Sequence, residues 1–529
     1  MGGFTVPHTG IDQAGIFIDR AVHIDDPLFV WAARQIDRAP LDFYGFEVNW
    51  TGTPEPMHEF FMNPPLTSAY VALVARLAGW NETALHAAFV PVALAALIGT
   101  FALASRFSSR PLFAALVTLS TPAFLVSSTM VMSDTLAVAF WAWALWLWDR
   151  GLSEDRTRLL IAAALLAGVA ALTKYFAIAL LPLMALSAAL TARRTRPWLC
   201  ALAIPLVMLV AYERVTAAQY GHSLLFGAAS YASRYQDATL GMQARKLVQG
   251  LSFTGGSAAT LLFLSPALLR WRSALVPVLL AVGLGGILGG WFRAQLLLWC
   301  AVGIGVLWLA VDDLVRTRRP EAAVLAAWVL GTFVFASFVN WTVNARSILP
   351  LVPAVGILAA RRLDRLTEAG TAPSSAWVAG GLVAAVALSL AIQNADASLA
   401  RASKTAASDL VGEFGARGTR VWFQGHWGFQ YYAERRGALP LDRRGSRIAA
   451  GEWIIRPVNN SYLFPLPPGF LAPPGRREFP VSSWISTMNP RADAGFYAAT
   501  YGWLPFAVGA APPEIYFVFQ SNALFDLGH

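Results

Sequence analysis

Apolar stretches of about 20 residues recur along this chain from Ala84 to Ile392, and they limit its fold more than any other feature. A helix of ~20 residues crosses the ~30 Å hydrocarbon core of a bilayer. A soluble chain of this size would normally divide into several domains instead. Charged residues make up 13% of the 529 residues, about half of the ~25% typical of soluble domains. The sequence therefore predicts a mainly α-helical, polytopic membrane protein.

The apolar stretches predict a helical bundle of about twelve membrane spans. Several of these spans are short, and flanking Trp and Arg side chains extend them at the interface. We place the spans at residues 84–104, 111–130, 134–149, 159–173, 175–191, 198–213, 247–268, 274–290, 295–311, 321–339, 346–360 and 375–392.

The loops that join the spans alternate in charge. One set holds most of the arginines, namely Arg106, Arg110, Arg150, Arg156, Arg158, Arg193, Arg194, Arg196, Arg270, Arg272, Arg316, Arg318, Arg319, Arg361, Arg362 and Arg365. The short turns of the other set carry only Lys174, Arg293 and Arg346 as basic residues. The positive-inside rule assigns the arginine-rich set to the cytoplasm. With an even number of spans, the residues before the first span and after the last one are then both outside.

The pattern divides the chain into three regions. Residues 1–83 form an extracytoplasmic first loop with interfacial helices, among them the stretch 66–80, which is too short to span. Residues 84–392 form the transmembrane region. Residues 393–529 lack long apolar runs, and TRVWFQ, GEWIIR and EIYFVFQ predict short strands there, with a turn and a helix in GHWGFQYYAERRG. We expect a small extracytoplasmic α/β domain in this last region.

Other classes of protein fit the sequence poorly. Cys200 and Cys300 both lie in predicted spans, so a disulfide framework is not expected. The net charge of +9 comes mostly from arginines in short loops, so nucleic acid is not an expected partner. Four histidines have no partner at metal-ligand spacing, and we interpret them as structural: His8, His23, His222 and His426.

Two adjacent carboxylates, Asp25 and Asp26, precede an apolar helix in HIDDPLFVWAARQI. The positive end of a helix dipole favours an anion at that position. One carboxylate can act as a general base on a hydroxyl or an amine while the other binds a metal or orients the first. The plainer interpretation of the pair is a helix cap on a surface loop.

Three further charged residues stand at predicted outer ends of spans. Asp134 follows Ser133 at a span start, where it serves either as an N-cap or as a second carboxylate facing an outer cavity. Lys174, in ALTKYF, is either a snorkelling turn residue or a cation that binds a phosphate. Arg346 is either a stray interfacial charge or a bidentate phosphate clamp.

A polar stretch, His58 and Glu59 followed by Asn63-Pro64-Pro65, leads into the interfacial helix. The two prolines stiffen this entry and start the helix. Taken singly, His58 and Glu59 are typical solvated loop residues. All of the candidate acids and cations nevertheless share one predicted face, next to a membrane that can deliver a lipid-linked substrate.

The motifs resemble those of a known family. The acidic pair, Asn-Pro-Pro-Leu, Met-Ser-Asp-Thr, Leu-Thr-Lys and Arg-Ser-Ile-Leu-Pro-Leu-Val-Pro occur in this order over roughly residues 20–365. This set resembles the GT-C superfamily of membrane glycosyltransferases, in particular the dolichyl-phosphate-mannose protein mannosyltransferases and the bacterial aminoarabinose lipid A transferase. The resemblance implies a GT-C-like fold in the cytoplasmic membrane, with a membrane lipid, a polyprenyl-phosphate-linked sugar donor and an envelope acceptor as partners.

The resemblance also implies roles for the candidate residues in an inverting sugar transfer. Asp25 would be the catalytic base, with Asp26 as the second acid of the pair. Lys174 and Arg346 would stabilise the leaving lipid phosphate. Substrate positioning falls to a further group, Asp134, His58, Glu59 and Asn63. No cofactor is certain; a divalent metal ion is the one candidate, and Asp26 is its candidate ligand. The family has the longer Glu at the position of Asp26.

Two alternatives remain at this point. A transporter or flippase would carry ionisable residues near the centres of broken, repeated spans, and no internal repeat is visible here. A non-catalytic scaffold of the same fold would retain the motifs without activity. The family begins with a span before the acidic loop, whereas this sequence has none before residue 84, so we expect that an upstream first helix is missing from it.

Overall fold

The first segment of the protein is built from short helices. The computed structural model describes residues 18–61, 63–192, 195–234, 239–268 and 271–528. Its first elements are α1 (Asp26–Arg38), β1 (Glu47–Asn49), β2 (Pro54–Pro56), α2 (Met57–Phe60), α3 (Leu66–Ala78) and α4 (Glu82–Ala87). Helix α1 has a base in its last turn, Arg38, as the helix dipole favours, and it packs against α3. Helix α3 confirms the helix predicted over residues 66–80, and its place at the membrane interface stays a prediction.

Fifteen further helices follow among the described residues, and most of them form the bundle. They are α5 (Phe89–Phe107), α6 (Pro111–Leu119), α7 (Pro122–Ser127), α8 (Ser133–Ser153), α9 (Thr157–Thr173), α10 (Leu180–Thr191), α11 (Thr195–Tyr220), α12 (Leu224–Arg234), α13 (Leu240–Ser257), α14 (Thr260–Leu268), α15 (Trp271–Thr317), α16 (Pro320–Val334), α17 (Ala345–Ile348), α18 (Val352–Glu368) and α19 (Ser375–Gly415). The predicted fold class, a polytopic helical membrane protein, is confirmed.

The helices differ in whether they can cross a bilayer alone. Within the described ranges, five are long and apolar enough: Glu82–Phe107, Arg196–Tyr220, Gly289–Thr317, Pro320–Val339 and Ser375–Gly415. A sixth span results if α13 and α14 count as one, although they meet at a bend of 78°. The other predicted spans coincide with shorter, interrupted or charge-bearing helices, such as α9, α6 with α7, and α8. The count of about twelve therefore stays a prediction.

Small residues let α13 and α15 approach closely. A Cβ at Gly255 would overlap the carbonyl of Trp299, and a Cβ at Gly303 would overlap the carbonyl of Leu251. Close backbone approach through glycine is a common way to pack helices in lipid, where no hydrophobic force drives them together. These contacts fix α13 beside the elements that carry the site.

The end of the bundle with the arginine-rich loops is held by buried ion pairs. The carboxylate of Asp313, on α15, accepts a hydrogen bond from Arg361 Nε on α18 at 2.8 Å, and it also pairs with Arg365. Asp313 and Arg361 are both buried. The pairs join two helices at the end opposite the candidate site.

The C-terminal region folds around the last part of α19. This helix has 41 residues, so it is ~60 Å long at 1.5 Å per residue, and residue 392, where we predicted the last span to end, lies inside it. The elements after it are β3 (Val421–Phe423), α20 (Trp427–Arg435), β4 (Leu439–Pro440), β5 (Arg447–Ile448), β6 (Trp453–Pro457), β7 (Gly475–Phe479), β8 (Ile485–Ser486), β9 (Met488–Asn489), β10 (Ala494–Gly495), β11 (Ala507–Val508), β12 (Glu514–Gln520) and β13 (Phe525–Asp526).

A five-stranded mixed sheet in the order β4-β3-β6-β12-β7 forms the core of this region. Strand β3 runs parallel to β4 and β6, whereas β12 runs antiparallel to β6 and β7. In β12, Tyr516 lies opposite Pro457 and Arg477. The three predicted strands and the predicted helix after the turn are confirmed, and with them the α/β character of the region.

The C-terminal region packs on the first segment. The hydroxyl of Tyr432, on α20, accepts a hydrogen bond from the Val22 backbone N–H at 2.8 Å. A Cβ at Gly428 would overlap the carbonyl of Val22, so the start of α20 lies directly on this backbone. We call the end of the bundle that carries both regions the site face.

Candidate active site

The two carboxylates of the acidic pair differ in solvent exposure. Helix α1 begins at Asp26, with Asp25 at its N-cap and Pro27 in its first turn. The side chain of Asp26 is fully buried, and its Oδ2 accepts a hydrogen bond from the His23 backbone N–H at 3.0 Å. The side chain of Asp25 is 30% exposed. Only Asp25 is therefore open to a substrate.

The backbone that leads into the pair is strained. Ile24 has φ +46°, a left-handed conformation that a β-branched residue rarely adopts. Such strain costs of order 1–3 kcal/mol, and it persists only where the surrounding structure enforces it. Ile24 is buried, and Val22 lies under α20. Packing of the C-terminal region thus holds the turn that presents Asp25.

Burial changes the acidity of Asp26. Desolvation raises the pKa of its carboxyl to about 7, against opposing effects of Arg20 and of the His23 backbone hydrogen bond. Its Oδ1 has no hydrogen-bond partner among the described residues. Asp26 is therefore largely neutral below pH 7, which suits a buried cap better than an ionised ligand or base.

Arg346 meets Asp25 although 321 residues separate them. Its guanidinium donates to Asp25 Oδ2 at 2.8 Å. Arg346 stands on α17, a helix of four residues whose first turn is capped by the Asn344 side chain through the Ser347 backbone N–H at 2.7 Å. The guanidinium also lies over the ring of Tyr497, 5.5 Å from its centroid. The predicted base and the predicted phosphate clamp are thus direct neighbours.

Lys174 and Asp134 form a second pair. The Lys174 ammonium hydrogen-bonds Asp134 Oδ1, and the Asp134 side chain is 3% exposed. Asp134 lies in the first turn of α8, and Lys174 follows the last residue of α9. Asp134 also interacts electrostatically with Arg346. The four predicted residues Asp25, Arg346, Asp134 and Lys174 therefore belong to one cluster of two acids and two cations.

This cluster combines the groups that a group transfer with an anionic leaving group requires. A carboxylate accessible to solvent can accept a proton from a nucleophile. Cations that are partly removed from water stabilise a developing phosphate charge more strongly than they would in bulk water. The guanidinium of Arg346 offers the planar donor pattern that suits a phosphate.

His58 and Glu59 belong to a separate cluster that includes His222. His58 Nδ1 and His222 Nε2 are 3.5 Å apart, and Glu59 Oε1 is 3.9 Å from each. These ligand atoms could hold a metal ion, and they form the one such group of three His, Cys, Asp or Glu residues in the described ranges. The interpretation that His222 lacks metal-ligand partners is therefore wrong.

The residues of this cluster suit a divalent ion chemically. Zinc at 2.0–2.2 Å from nitrogen and oxygen ligands in a tetrahedron leaves those ligands ~3.4 Å from one another, close to the separations found here. Burial lowers the pKa of His58, which favours the neutral imidazole that a metal requires. Its ring stacks on Tyr220, with centroids 4.8 Å apart. Asp26 is not part of this cluster.

Asn63 contributes through its backbone. Its carbonyl accepts a hydrogen bond from the hydroxyl of Tyr44, which is buried. This bond ties the entry to α3 to the loop after α1. A positioning role for the Asn63 side chain stays a prediction.

His23 and His426 lie apart from that cluster. His23 lies beside Asp396, with 3.9 Å between Nε2 and Oδ1, and burial lowers its pKa to about 4. His426 Nδ1 is hydrogen-bonded to Gln430 Oε1 at 2.9 Å. Both fit the structural role that we predicted. His8 lies outside the described residues.

A buried network next to the cluster was not identified from the sequence. Arg20 pairs with Asp396, and both side chains are fully buried. Tyr497 donates its hydroxyl hydrogen bond to Asp396 Oδ2 at 2.6 Å, and Thr487 donates to Asp396 Oδ1 at 2.7 Å. Arg20 NH1 also donates to the Val126 carbonyl at 3.2 Å. The network joins the first segment, α19 and the C-terminal region.

The sequence held a weak signal for this network. Asp396 lies shortly after the apolar stretch that ends at Ile392, a position where an acid costs free energy unless it is paired. Its partner Arg20 lies 376 residues away, and no spacing rule connects the two.

The comparisons with known proteins agree with the motifs. A model of the dolichyl-phosphate-mannose-protein mannosyltransferase family matches residues 62–218. The matched stretch contains Asp134 and Lys174, whereas Asp25 and Arg346 lie outside it. The comparison with curated proteins finds no match. The family match confirms the predicted resemblance to membrane glycosyltransferases of the GT-C type.

Solved structures are also similar to this chain. ArnT from Cupriavidus metallidurans bound to undecaprenyl phosphate matches 84% of this chain and 90% of its own length, with 14% identity and a TM-score of 0.49. The archaeal oligosaccharyltransferase AglB from Archaeoglobus fulgidus, in complex with an inhibitory peptide and a dolichol-phosphate, matches 80% of this chain and 61% of its own length. Its identity is 12% and its TM-score 0.46.

Proposed function

We propose that this protein is a glycosyltransferase that moves a sugar from a polyprenyl-phosphate donor to an acceptor on the outer face of the cytoplasmic membrane, with inversion at the anomeric carbon. One observation carries the proposal: the partly exposed carboxylate of Asp25 contacts the phosphate-binding candidate Arg346 at 2.8 Å. In such a transfer the base and the anion-binding group both lie near one carbon atom, because the nucleophile and the leaving phosphate flank it.

In the proposed step, Asp25 accepts the proton of an acceptor hydroxyl or amine, whose lone pair attacks the anomeric carbon. The bond between that carbon and the phosphate oxygen breaks, and the phosphate leaves with the bonding electrons. Arg346 and Lys174 stabilise its charge. Attack opposite the leaving group inverts the configuration at the carbon.

In this structure each of the two cations is paired with a carboxylate, Arg346 with Asp25 and Lys174 with Asp134. Asp25 cannot bind Arg346 fully and accept a proton at the same time. Donor binding would therefore draw Arg346 towards the phosphate and release Asp25 to act as a base. Asp134 keeps Lys174 at the same site and supports positioning of the substrate.

The experiment that tests the function compares envelope glycans, glycolipids and glycoproteins with and without the gene by mass spectrometry. We expect one class of conjugate to lose a sugar. Purified protein in nanodiscs should then transfer that sugar from its polyprenyl-phosphate form. Unchanged conjugates together with movement of the lipid-linked sugar across the bilayer would support the flippase alternative.

The role of Asp25 is tested by Asp25→Asn. We expect transfer to fall by about 10²–10⁴, the usual contribution of a positioned general base. Asp37→Asn is the matched control, because Asp37 lies on the same helix and pairs with Arg76 on an accessible part of the surface. Normal turnover in the Asp25 variant would remove it as the base, and equal losses in both variants would indicate a general defect of α1.

We also propose that the divalent ion binds at His58, Glu59 and His222 rather than at Asp26. When bound, the ion would add a local positive charge and join the first segment to the chain after α11. Metal content of the purified protein, measured by mass spectrometry, should be about one zinc per chain and should fall in His222→Ala. His426→Ala is the control. Equal metal content in all three proteins would exclude this site.

The outer orientation of the site face is supported by the distribution of arginine between the loops. In a variant in which Cys200 and Cys300 are replaced, a single cysteine at Leu41, which is exposed, should react with an impermeant maleimide in intact cells. A cysteine at exposed Arg318 should react only after lysis. The opposite pattern would reverse the orientation.

A further inference from the structure

The segment that contains Tyr497 is bound to the loop that carries Arg346. The Ala345 backbone N–H donates to the carbonyl of Phe496 at 2.9 Å, and the Ala499 N–H donates to the carbonyl of Val343 at 2.8 Å. Tyr497 lies between the two bonds on one stretch of chain, and Arg346 directly follows the bonded Ala345 on the other. The C-terminal region therefore forms part of the wall of the candidate site.

Tyr497 links Arg346 to the buried network. Its ring lies under the guanidinium at 5.5 Å, and its hydroxyl donates to Asp396 at 2.6 Å. Asp396 is in turn fixed by Arg20 and Thr487. The ring is 2% exposed, so it has little freedom to turn. A rigid aromatic face is thus presented to a flexible cation.

Arg346 needs such support during the proposed reaction. Its guanidinium also hydrogen-bonds Asp25 and the sulfur of Met132. The contact with Asp25 must be given up when Asp25 accepts a proton, and arginine has about 2 kcal/mol of rotamer entropy to regain. The ring contact does not compete with the base, so it can hold the guanidinium through the whole step.

We propose that Tyr497 is a positioning residue, which holds Arg346 in place for the donor phosphate while Asp25 is free to act as the base. This inference rests on the proposed function, because it assumes that Arg346 binds the phosphate of a polyprenyl donor. It assigns the C-terminal region a part in donor binding, in addition to any role in shaping the acceptor site. A cation over an aromatic ring contributes about 0.5–2 kcal/mol, which is about 2–30-fold in affinity.

The first experiment measures binding of undecaprenyl phosphate to the full-length protein in nanodiscs. Tyr497→Leu should weaken binding 2–30-fold, and it should cause no further loss in an Arg346→Ala background. Tyr516→Leu is the matched control, because Tyr516 is an equally buried tyrosine on β12 and should leave the affinity unchanged. Equal losses for Tyr497→Leu in both backgrounds, or for both tyrosines, would overturn the proposal.

The second experiment avoids the loss of a buried side chain. Tyr497 is replaced by phenylalanine and then by mono-, di- and trifluorinated phenylalanine, which weaken the negative face of the ring and keep its shape. The affinity for undecaprenyl phosphate should fall stepwise with fluorination. A tyrosine with only a packing role would give no trend, and a flat series would overturn the proposal.

The outcomes separate this inference from the proposed function. A fluorination trend without sugar transfer would refute the enzyme and support the role of Tyr497. Sugar transfer without a trend would refute the role of Tyr497 alone. If the unmodified protein does not bind undecaprenyl phosphate, both are refuted.

Discussion

Replacement of Asp26 by asparagine should change how the stability of this protein depends on pH. The carboxyl of Asp26 is fully buried, and desolvation raises its pKa from the ordinary 3.8 to about 7. Between these values the folded protein keeps a proton that the unfolded chain has released. The stabilising effect of this proton is complete below pH 3.8 and is lost as the pH rises through 7.

The size of the effect follows from the difference between the two pKa values. At 1.36 kcal/mol per pKa unit, the full range corresponds to about 4 kcal/mol, of which about 2.5 kcal/mol falls between pH 5 and pH 8. The asparagine is neutral throughout and can still accept the hydrogen bond from His23. The stability of Asp26→Asn relative to the unmodified protein should therefore rise by about 2.5 kcal/mol over this interval.

Thermal unfolding followed by the fluorescence of the 20 tryptophans provides the assay. With an unfolding entropy of ~2.1 cal/mol/K per residue, the difference in Tm between the two proteins should grow by about 2 °C from pH 5 to pH 8. Titration of His23 occurs in both proteins and cancels in the difference. Asp37→Asn should show no such trend. A difference that stays constant across this range would refute the argument that burial keeps Asp26 protonated.

Two further substitutions test contacts that hold the fold together, one beside the candidate site and one at the opposite end of the bundle. Gly428→Ala should destabilise the protein by about 1–3 kcal/mol, since the new Cβ would overlap the carbonyl of Val22. Gly412→Ala, on an open part of α19, should instead be neutral or stabilising, and equal thermal shifts would contradict this reasoning. Asp313→Asn should cost about 3–5 kcal/mol, because it leaves the buried Arg361 without a full partner. A denaturation midpoint unchanged in that variant would show that the pair is not a net contributor.

Much of the fold could be predicted because it depends on local patterns. The apolar period of residues 66–78 specifies α3, and alternating apolar residues specify β12 at 514–520. The apolar stretches of the sequence located the helices but not the residues at which the helices end. Near the bend between α13 and α14, Gly255 packs closely against Trp299 of the partner helix α15. No window of sequence contains that partner.

The candidate site could be predicted in part, because some of its residues also stand out in their local sequence. Asp25, Asp134, Lys174 and Arg346 were found because each is a charge beside an apolar stretch, where charges are costly. Their pairing was not predicted, and neither was the contact of His222 with His58, which are 164 residues apart. Contacts of this kind depend on how loops from separate helices converge, and such convergence leaves no periodic signal.

The ion pair between Arg20 and Asp396 also limits when the newly made chain can complete its fold. The two residues are 376 positions apart, and synthesis at ~5–20 residues per second takes about 20–75 s to cover that distance. During this interval the first segment has emerged without the acid that neutralises its buried arginine. The ion pair can therefore form only after most of the chain has been translated, and we expect the turn that presents Asp25 to reach its final form late in synthesis.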